Sequence, residues 1–252
     1  MEFFPWGAMH LILMLEEILA YQKDDALFAE AWPILKKFIA NIRKMTDDKT
    51  GLYHDLVNCA VDDNAELGLT GRHYPACWNG FYYNALRTME NFAGDCGEDG
   101  TIYHQAWKKL EQHYMPLFYN EQAGYVRHAL DNQLKPAKIE VLMNTSVIAL
   151  EFPFGEWLFG DKIGAIAHYK ATQLKHPLGY SAVAYNSPLP CDMWKYVHMN
   201  QHLGHEGKLA RFAGNTKEVK RILAPYFQHF ENYGVAVETY NLAGCNGNES
   251  QV

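Results

Sequence analysis

The sequence predicts an all-α chain of about eight helices in antiparallel pairs, and three observations carry that prediction. Apolar residues recur every three or four positions over long stretches. Short polar breaks such as Lys23-Asp24-Asp25 separate these stretches. No linker or low-complexity segment interrupts the chain, so residues 1–252 read as one domain.

Residues 7–22 carry Leu11, Met14, Leu15, Ile18 and Leu19 as one stripe and predict the first helix. The second, 26–45, repeats the pattern with Leu27, Ala31, Ile34, Leu35, Phe38, Ile39 and Ile42, and Pro33 inside it predicts a kink or a late start. The polar run 46–55 ends this hairpin. A third helix is expected over 78–94, and Asp99 is placed to cap a fourth that reaches 118. Residues 118–133 read as a turn at Asn120–Gly124 followed by an extended segment. Helical character resumes over 138–151 and 160–175. The Pro-, Gly- and Tyr-rich stretch 176–192 is a long loop, and helices over 193–213 and 216–233 follow it. The chain then closes on "VAVETYNLAGCNG" (235–247), where Glu238 stands in a short β-branched stretch before a turn of Asn and Gly.

A net charge of −7 and a pI near 5.9 oppose a nucleic-acid partner, which needs a basic surface. Five cysteines (Cys59, Cys77, Cys96, Cys191, Cys245) contain no CxxC pair and read as reduced thiols, which points to the cytoplasm. The apolar start has Glu2 where a signal peptide is basic, and Glu16 and Glu17 interrupt it, so neither a leader nor a membrane span is expected. The aromatic share of 14% suits a packed core and equally a cleft that stacks on sugar rings.

Four segments carry a family resemblance. "RHYPACWNGFYYNALRTMENF" (72–92) resembles the amylo-α-1,6-glucosidases of the glycogen-debranching type and related inverting glycosidases, in which an Arg-bearing loop enters an aromatic-Tyr-Asn-Ala-Leu helix. "FYNEQAGY" (118–125), "HPLGYSAVAYNSP" (176–188) and "ETYNLAG" (238–244) agree in order, the last with the α-glucosidase and mannosylglycerate-hydrolase relatives. The resemblance implies an (α/α)6 toroid, six helical hairpins around an axis with the site in a funnel at one end. Two departures stand out. About eight helices are too few for a closed ring, which at this hairpin length needs on the order of 300 residues; a fragment, a short member or a homo-oligomer that completes the ring are the alternatives. The family's Trp before the acid and the Arg-Gly before a later Trp are missing, the latter region reading "PLPCDMW" (188–194).

The resemblance also implies site roles. Inverting hydrolysis needs an acid for the leaving oxygen and a base for water on the opposite face. Glu238 is the implied base; the competing reading is a solvated glutamate before a frayed terminus. The acid is Asp62, ten residues before Arg72, with Asp63 as the alternative acid or a substrate contact, and both also suit an ordinary loop turn. Arg72 and His73 are positioned for sugar hydroxyls, Tyr180 lies in the sugar-facing loop, and Trp6, Trp78, Trp157 and Trp194 near helix starts are candidates for a stacking wall. No cofactor or metal is expected. Asp62, Asn64 and Glu66 lack the rest of a calcium loop, and His198, His202 and His205, on one face of the helix expected over 193–213, are the sole zinc-like arrangement weighed. The partner is thus an oligosaccharide, with no nucleic acid and no membrane. Two other classes stay open: a sugar epimerase working through histidines, and a non-catalytic sugar-binding or assembly relative.

Overall fold

The computed structural model describes residues 5–54, 72–137, 140, 146–176, 179–184, 197–199, 203–234, 239–241 and 244–247. Helix α1 (Pro5–Tyr21) opens on a proline, whose missing N–H costs nothing at a first helical position. Its buried face is Ala8, Met9, Ile12, Leu13 and Leu15, whereas Leu11, Met14 and Ile18 of the expected stripe are exposed. Helix α2 (Asp25–Arg43) is capped by Asp24, which accepts from the Leu27 N–H at 2.9 Å, and it runs on through Pro33. It buries Trp32, Leu35, Ile39 and Ile42, one face at helical spacing.

Strand β1 (Tyr74–Pro75) leads into helix α3 (Ala76–Asp95), which buries fifteen of its twenty residues. A helix buried nearly all round must be surrounded, and α3 is: α1, helix α4 (Thr101–Phe118) and a later 3-10 turn all pack on it. The running directions follow from the contacts. His10 of α1 meets Phe81 with ring centroids 4.4 Å apart, and Glu16 accepts from Thr88 at 2.5 Å further along both helices, so α1 and α3 are parallel. Tyr83 donates to Glu111 at 2.9 Å while Trp107 donates to Glu90 at 2.5 Å, so α4 is antiparallel to α3. Helices α1 and α3 are therefore inner members, and α2 and α4 their outer returns.

Strands β2 (Tyr119–Asn120) and β3 (Tyr125–Val126) form the expected hairpin, its turn closed by Gly124 at φ +78°. Strand β4 (Ala129–Leu130) pairs with β1, Tyr74 opposite Leu130. The third hairpin departs from expectation. In place of a helix over 138–151, the described part is a 3-10 turn, Ile148–Glu151. It stops because Phe152 precedes Pro153 and takes an extended conformation (φ −110°, ψ 159°), the region that a following proline enforces. Short helix α5 (Gly155–Phe159), a 3-10 turn Gly160–Lys162 and helix α6 (Ile163–Gln173) follow.

Strands β5 (Lys175–His176) and β6 (Gly179–Tyr180) make a second hairpin. The helix expected over 193–213 is corrected: β7 (Val197–Met199) is a strand and helix α7 begins at Leu203, ending at Phe212. Pairing of Val197–Met199 with the distant β8 (Thr239–Asn241) claims those residues for a sheet, which β9 (Gly244–Gly247) completes. Helix α8 (Thr216–Tyr233) is capped by Asn215 and ends on Gly234 in the left-handed region (φ +69°), where a glycine carries no Cβ penalty.

Candidate active site

The inner helices α1 and α3 begin at the same end of the molecule, and the first turn of α3 is a crossroads there. Asn79, fully buried, accepts from the Tyr53 N–H at 2.7 Å and donates to the carbonyls of Tyr53 at 2.9 Å and Pro75 at 2.8 Å. Burial pushes the Tyr74 phenol up, the nearby Asp47 adds to that and the nearby Arg72 opposes it. His54 packs edge-on to Tyr74 at 6.1 Å. Segments 53–54 and 72–75 are thus both tied to the start of α3, and they bracket residues 55–71.

A second cluster continues from this point along the inner face. Trp78 stacks on Phe81 (5.4 Å), and Phe81 meets both His10 and Phe152 (5.1 Å). Beside Phe152, Glu151 Oε1 lies 3.0 Å from Nδ1 of His205 and accepts from the His205 main-chain N–H at 3.2 Å. Lys208 donates to the Glu151 carbonyl. Burial holds the His10 imidazole below its usual value, with the Glu151 charge opposing, and burial likewise lowers Lys208 against Glu151 and Glu17. His205 in the first turn of α7 and Lys208 one turn on both hold Glu151, which ties the start of α7 to the 3-10 turn.

Three glycines hold the 3-10 turn in place. A Cβ on Gly155 would sit 1.9 Å from the Ala149 carbonyl oxygen, one on Gly80 2.8 Å from the Ala149 Cβ, and one on Gly204 2.8 Å from Glu151 Oε1. The backbones of α3 and α5 therefore close on Ala149 to distances that leave no room for a side chain, whereas at Gly204 it is the end of the Glu151 side chain that would have to move. Asn84 adds to the grip, donating to the Ala149 carbonyl at 3.3 Å and accepting from the Phe154 N–H at 3.1 Å.

The expected site residues fall in several places. Asp62, Asp63, Trp194 and Glu238 lie outside the described residues; Glu238 immediately precedes β8, whose Thr239 pairs with Met199. Trp6 is in the first turn of α1, its side chain also outside the description. Arg72 is exposed beside buried His73 and Tyr74, and Trp78 is 5% exposed, so these share the mouth of α3. Tyr180 is buried elsewhere, its hydroxyl on Glu218 and its ring 5.7 Å from the Arg221 guanidinium. A cavity of about 240 Å³ beside it is lined by Gly164, Ala167, Ala171, Ala210, Asn215 and Glu218 among others. Trp157 packs on Arg87 of α3, whose guanidinium lies 4.1 Å from its ring and 4.5 Å from that of Trp107 on the outer helix α4. The shared histidine face is corrected: His198 is in strand β7 and His205 in helix α7, while His202 is outside the described residues.

Sequence reading missed Glu151 and His10, and took His205 for a different purpose. The one available signal was glycine placement, since Gly155 and Gly204 flank the segments that meet. Among the described residues no cluster of His, Cys, Asp or Glu is arranged for a metal ion, and no helix is long and apolar enough to cross a membrane.

No protein-family model matches the chain, and no curated protein matches it in sequence. Solved structures do match in fold. A GH63 mannosylglycerate hydrolase from Thermus thermophilus, in complex with glucose, superposes with a TM-score of 0.72 at 15% identity, over 96% of this chain and 70% of that one. A GH78 rhamnosidase from Bacillus sp. GL1 gives 0.65 at 17% identity, over 94% of this chain and 23% of that one. Neutral trehalase from Saccharomyces cerevisiae gives 0.53 at 15% identity, over 71% and 36%. All three are (α/α)6-toroid glycoside hydrolases, and parallel inner helices with antiparallel outer returns are the same plan. The chain has the fold of the (α/α)6 toroid, in an incomplete form.

Proposed function

We propose that the chain is an inverting glycoside hydrolase acting on α-linked gluco- or manno-configured oligosaccharides in the cytoplasm. Asp62 protonates the leaving oxygen, with Asp63 as the alternative, and Glu238 activates water from the other face. The observation that supports this most is the clamp at the start of α3. Asn79 ties the backbone on both sides of the segment that carries Asp62 and Asp63, at Tyr53 and at Pro75. It does so at the end where α1 and α3 begin, beside Arg72 and His73. The toroid fold adds a general glycosidase context.

The test is a panel of α-linked disaccharides incubated with the full chain, with product anomers followed by proton NMR. Release of monosaccharide with inverted configuration supports the proposal. Retained configuration would remove the inverting mechanism, and no release from any member would remove the hydrolase.

A second reading, a sugar epimerase, draws on His10 and His205, which stand near Glu151 at the same end. It requires interconversion of free monosaccharides without hydrolysis. A second copy of this chain is the partner proposed for the open edges of the arc, because α1 and α8 both leave apolar rows exposed there.

A further inference from the structure

We infer that Glu151 and His10 form a hydroxyl-binding subsite in the funnel, with the Glu151 carboxylate as its acceptor and His205 as the residue that fixes it. The inference rests on the sugar-processing reading above and names residues which that reading does not use. Glu151 belongs to no α-helix; it ends a 3-10 turn wedged among three glycines, on a wall otherwise built of helices α1, α3 and α7. A carboxylate there is held from behind. One oxygen engages both the main-chain N–H and the ring of His205, and the residue's own carbonyl takes the Lys208 ammonium. Even so, 26% of the Glu151 side chain is open, while the His205 side chain is fully buried.

The carboxylate is thus held on one side and open on the other. Gly204 is the telling position. Any side chain there would drive the carboxylate out of place, since its Cβ would fall 2.8 Å from Oε1. His10 lies within electrostatic reach of Glu151, half-buried against Phe81 and Phe152. Burial favours its neutral form, and a neutral imidazole both donates and accepts hydrogen bonds. A fixed carboxylate beside a neutral imidazole and the partly exposed ring of Phe152 fits vicinal hydroxyls on one edge of a sugar ring. The ligand class is a neutral pyranose.

The experiment titrates D-mannose and D-glucose into the full chain and follows the imidazole resonances of His10 and His205 by NMR. The panel is wild type, E151Q, E151A and G204A, with circular dichroism to check folding. Saturable shifts at both histidines are expected, with the dissociation constant raised about 10- to 100-fold in E151A and less in E151Q, which keeps one acceptor. G204A should weaken binding while leaving Glu151 in the chain, so it carries the test even if E151A fails to fold. Unchanged binding in folded E151Q and G204A overturns the subsite, as does saturation that leaves both histidines unmoved. Binding at Glu151 without hydrolysis of any disaccharide supports the subsite and sinks the hydrolase reading. Hydrolysis with an unchanged KM in E151Q does the reverse.

Discussion

Asn79 grips the backbone of Tyr53 from both sides, accepting from its N–H at 2.7 Å and donating to its carbonyl at 2.9 Å. The amide takes the place that a neighbouring strand would fill along this stretch of backbone. Asn79→Ala leaves buried groups of Tyr53 and Pro75 without their partner and is expected to lower stability by about 2–4 kcal/mol. Urea unfolding measures this; a shift below about 0.5 kcal/mol would mean that water replaces the amide freely.

Glu238→Gln and Asp62→Asn should each reduce hydrolysis by on the order of 10²–10⁴-fold with the circular dichroism spectrum unchanged. Asp63→Asn separates the two candidates for the acid. If it alone abolishes turnover, the acid is Asp63. Full activity in Glu238→Gln returns that residue to a solvated end.

Lys170 of α6 is buried opposite Glu206 of α7, and burial pushes its ammonium down to about 7 despite the Glu206 charge. Between pH 7 and 10.5 the unfolded chain then holds a proton that the folded one lacks. Stability should rise with pH across that window, by up to about 1.4 kcal/mol per unit from this group, and be flat in this group below it. Lys208, also lowered, has the same sign. Above about pH 10 tyrosines reverse the slope, because buried Tyr82 and Tyr83 and half-buried Tyr125 are all raised and the unfolded chain loses those protons first. Denaturant midpoints across neutral to alkaline pH test the curve. Lys170→Met should flatten its rising limb, and an unaltered limb would place the titration elsewhere.

Trp157 is 55% exposed with Arg87 against its ring. Trp157→Ala is expected to cost about 0.5–1 kcal/mol and leave sugar binding and turnover as they were. Altered sugar affinity would bring this residue back into the stacking wall.

Helix α1 exposes Leu11 (45%), Met14 (54%) and Ile18 (47%), and α8 exposes Phe227 (56%), Phe230 (50%) and Tyr233 (59%). Rows of this kind are normally covered. Sedimentation should show a concentration-dependent dimer, converted to monomer when the three α1 residues are changed to Gln. A monomer at every concentration would remove the second copy as the partner.

Helices α2 and α4 were legible because each writes its buried face at helical spacing, with Asp24 and Asp99 at their starts; α1 reads as a helix although its expected stripe is not the face it buries, and α3 is buried nearly all round. The strands near 124–130 and after 234 were also legible. Strand β7 was not, since Val197–Met199 takes its conformation from residues some forty positions on. Glu151 was hidden for a similar reason. Its surroundings come from α1, α3 and α7, and local pattern says nothing about which backbones will touch. Of the expected site residues, Arg72, His73 and Trp78 lie together at the start of α3, whereas Tyr180 lies against Arg221 of α8 and Trp157 against Arg87 of α3.

Gly80, Gly155 and Gly204 are spread along the sequence, yet they face a single four-residue turn. The first two meet the Ala149 main chain or Cβ and leave no room for a side chain, whereas at the third the tip of the Glu151 side chain would swing aside. Among descendants of a common ancestor Gly80 and Gly155 should therefore be inherited as a pair. They would be lost together only where the third inner wall reverts to an ordinary helix, one that stands off from its neighbours by the width of a side chain. A lineage's glycines at these positions would then report, without any coordinates, whether it carries a wedge or a helix beside its funnel.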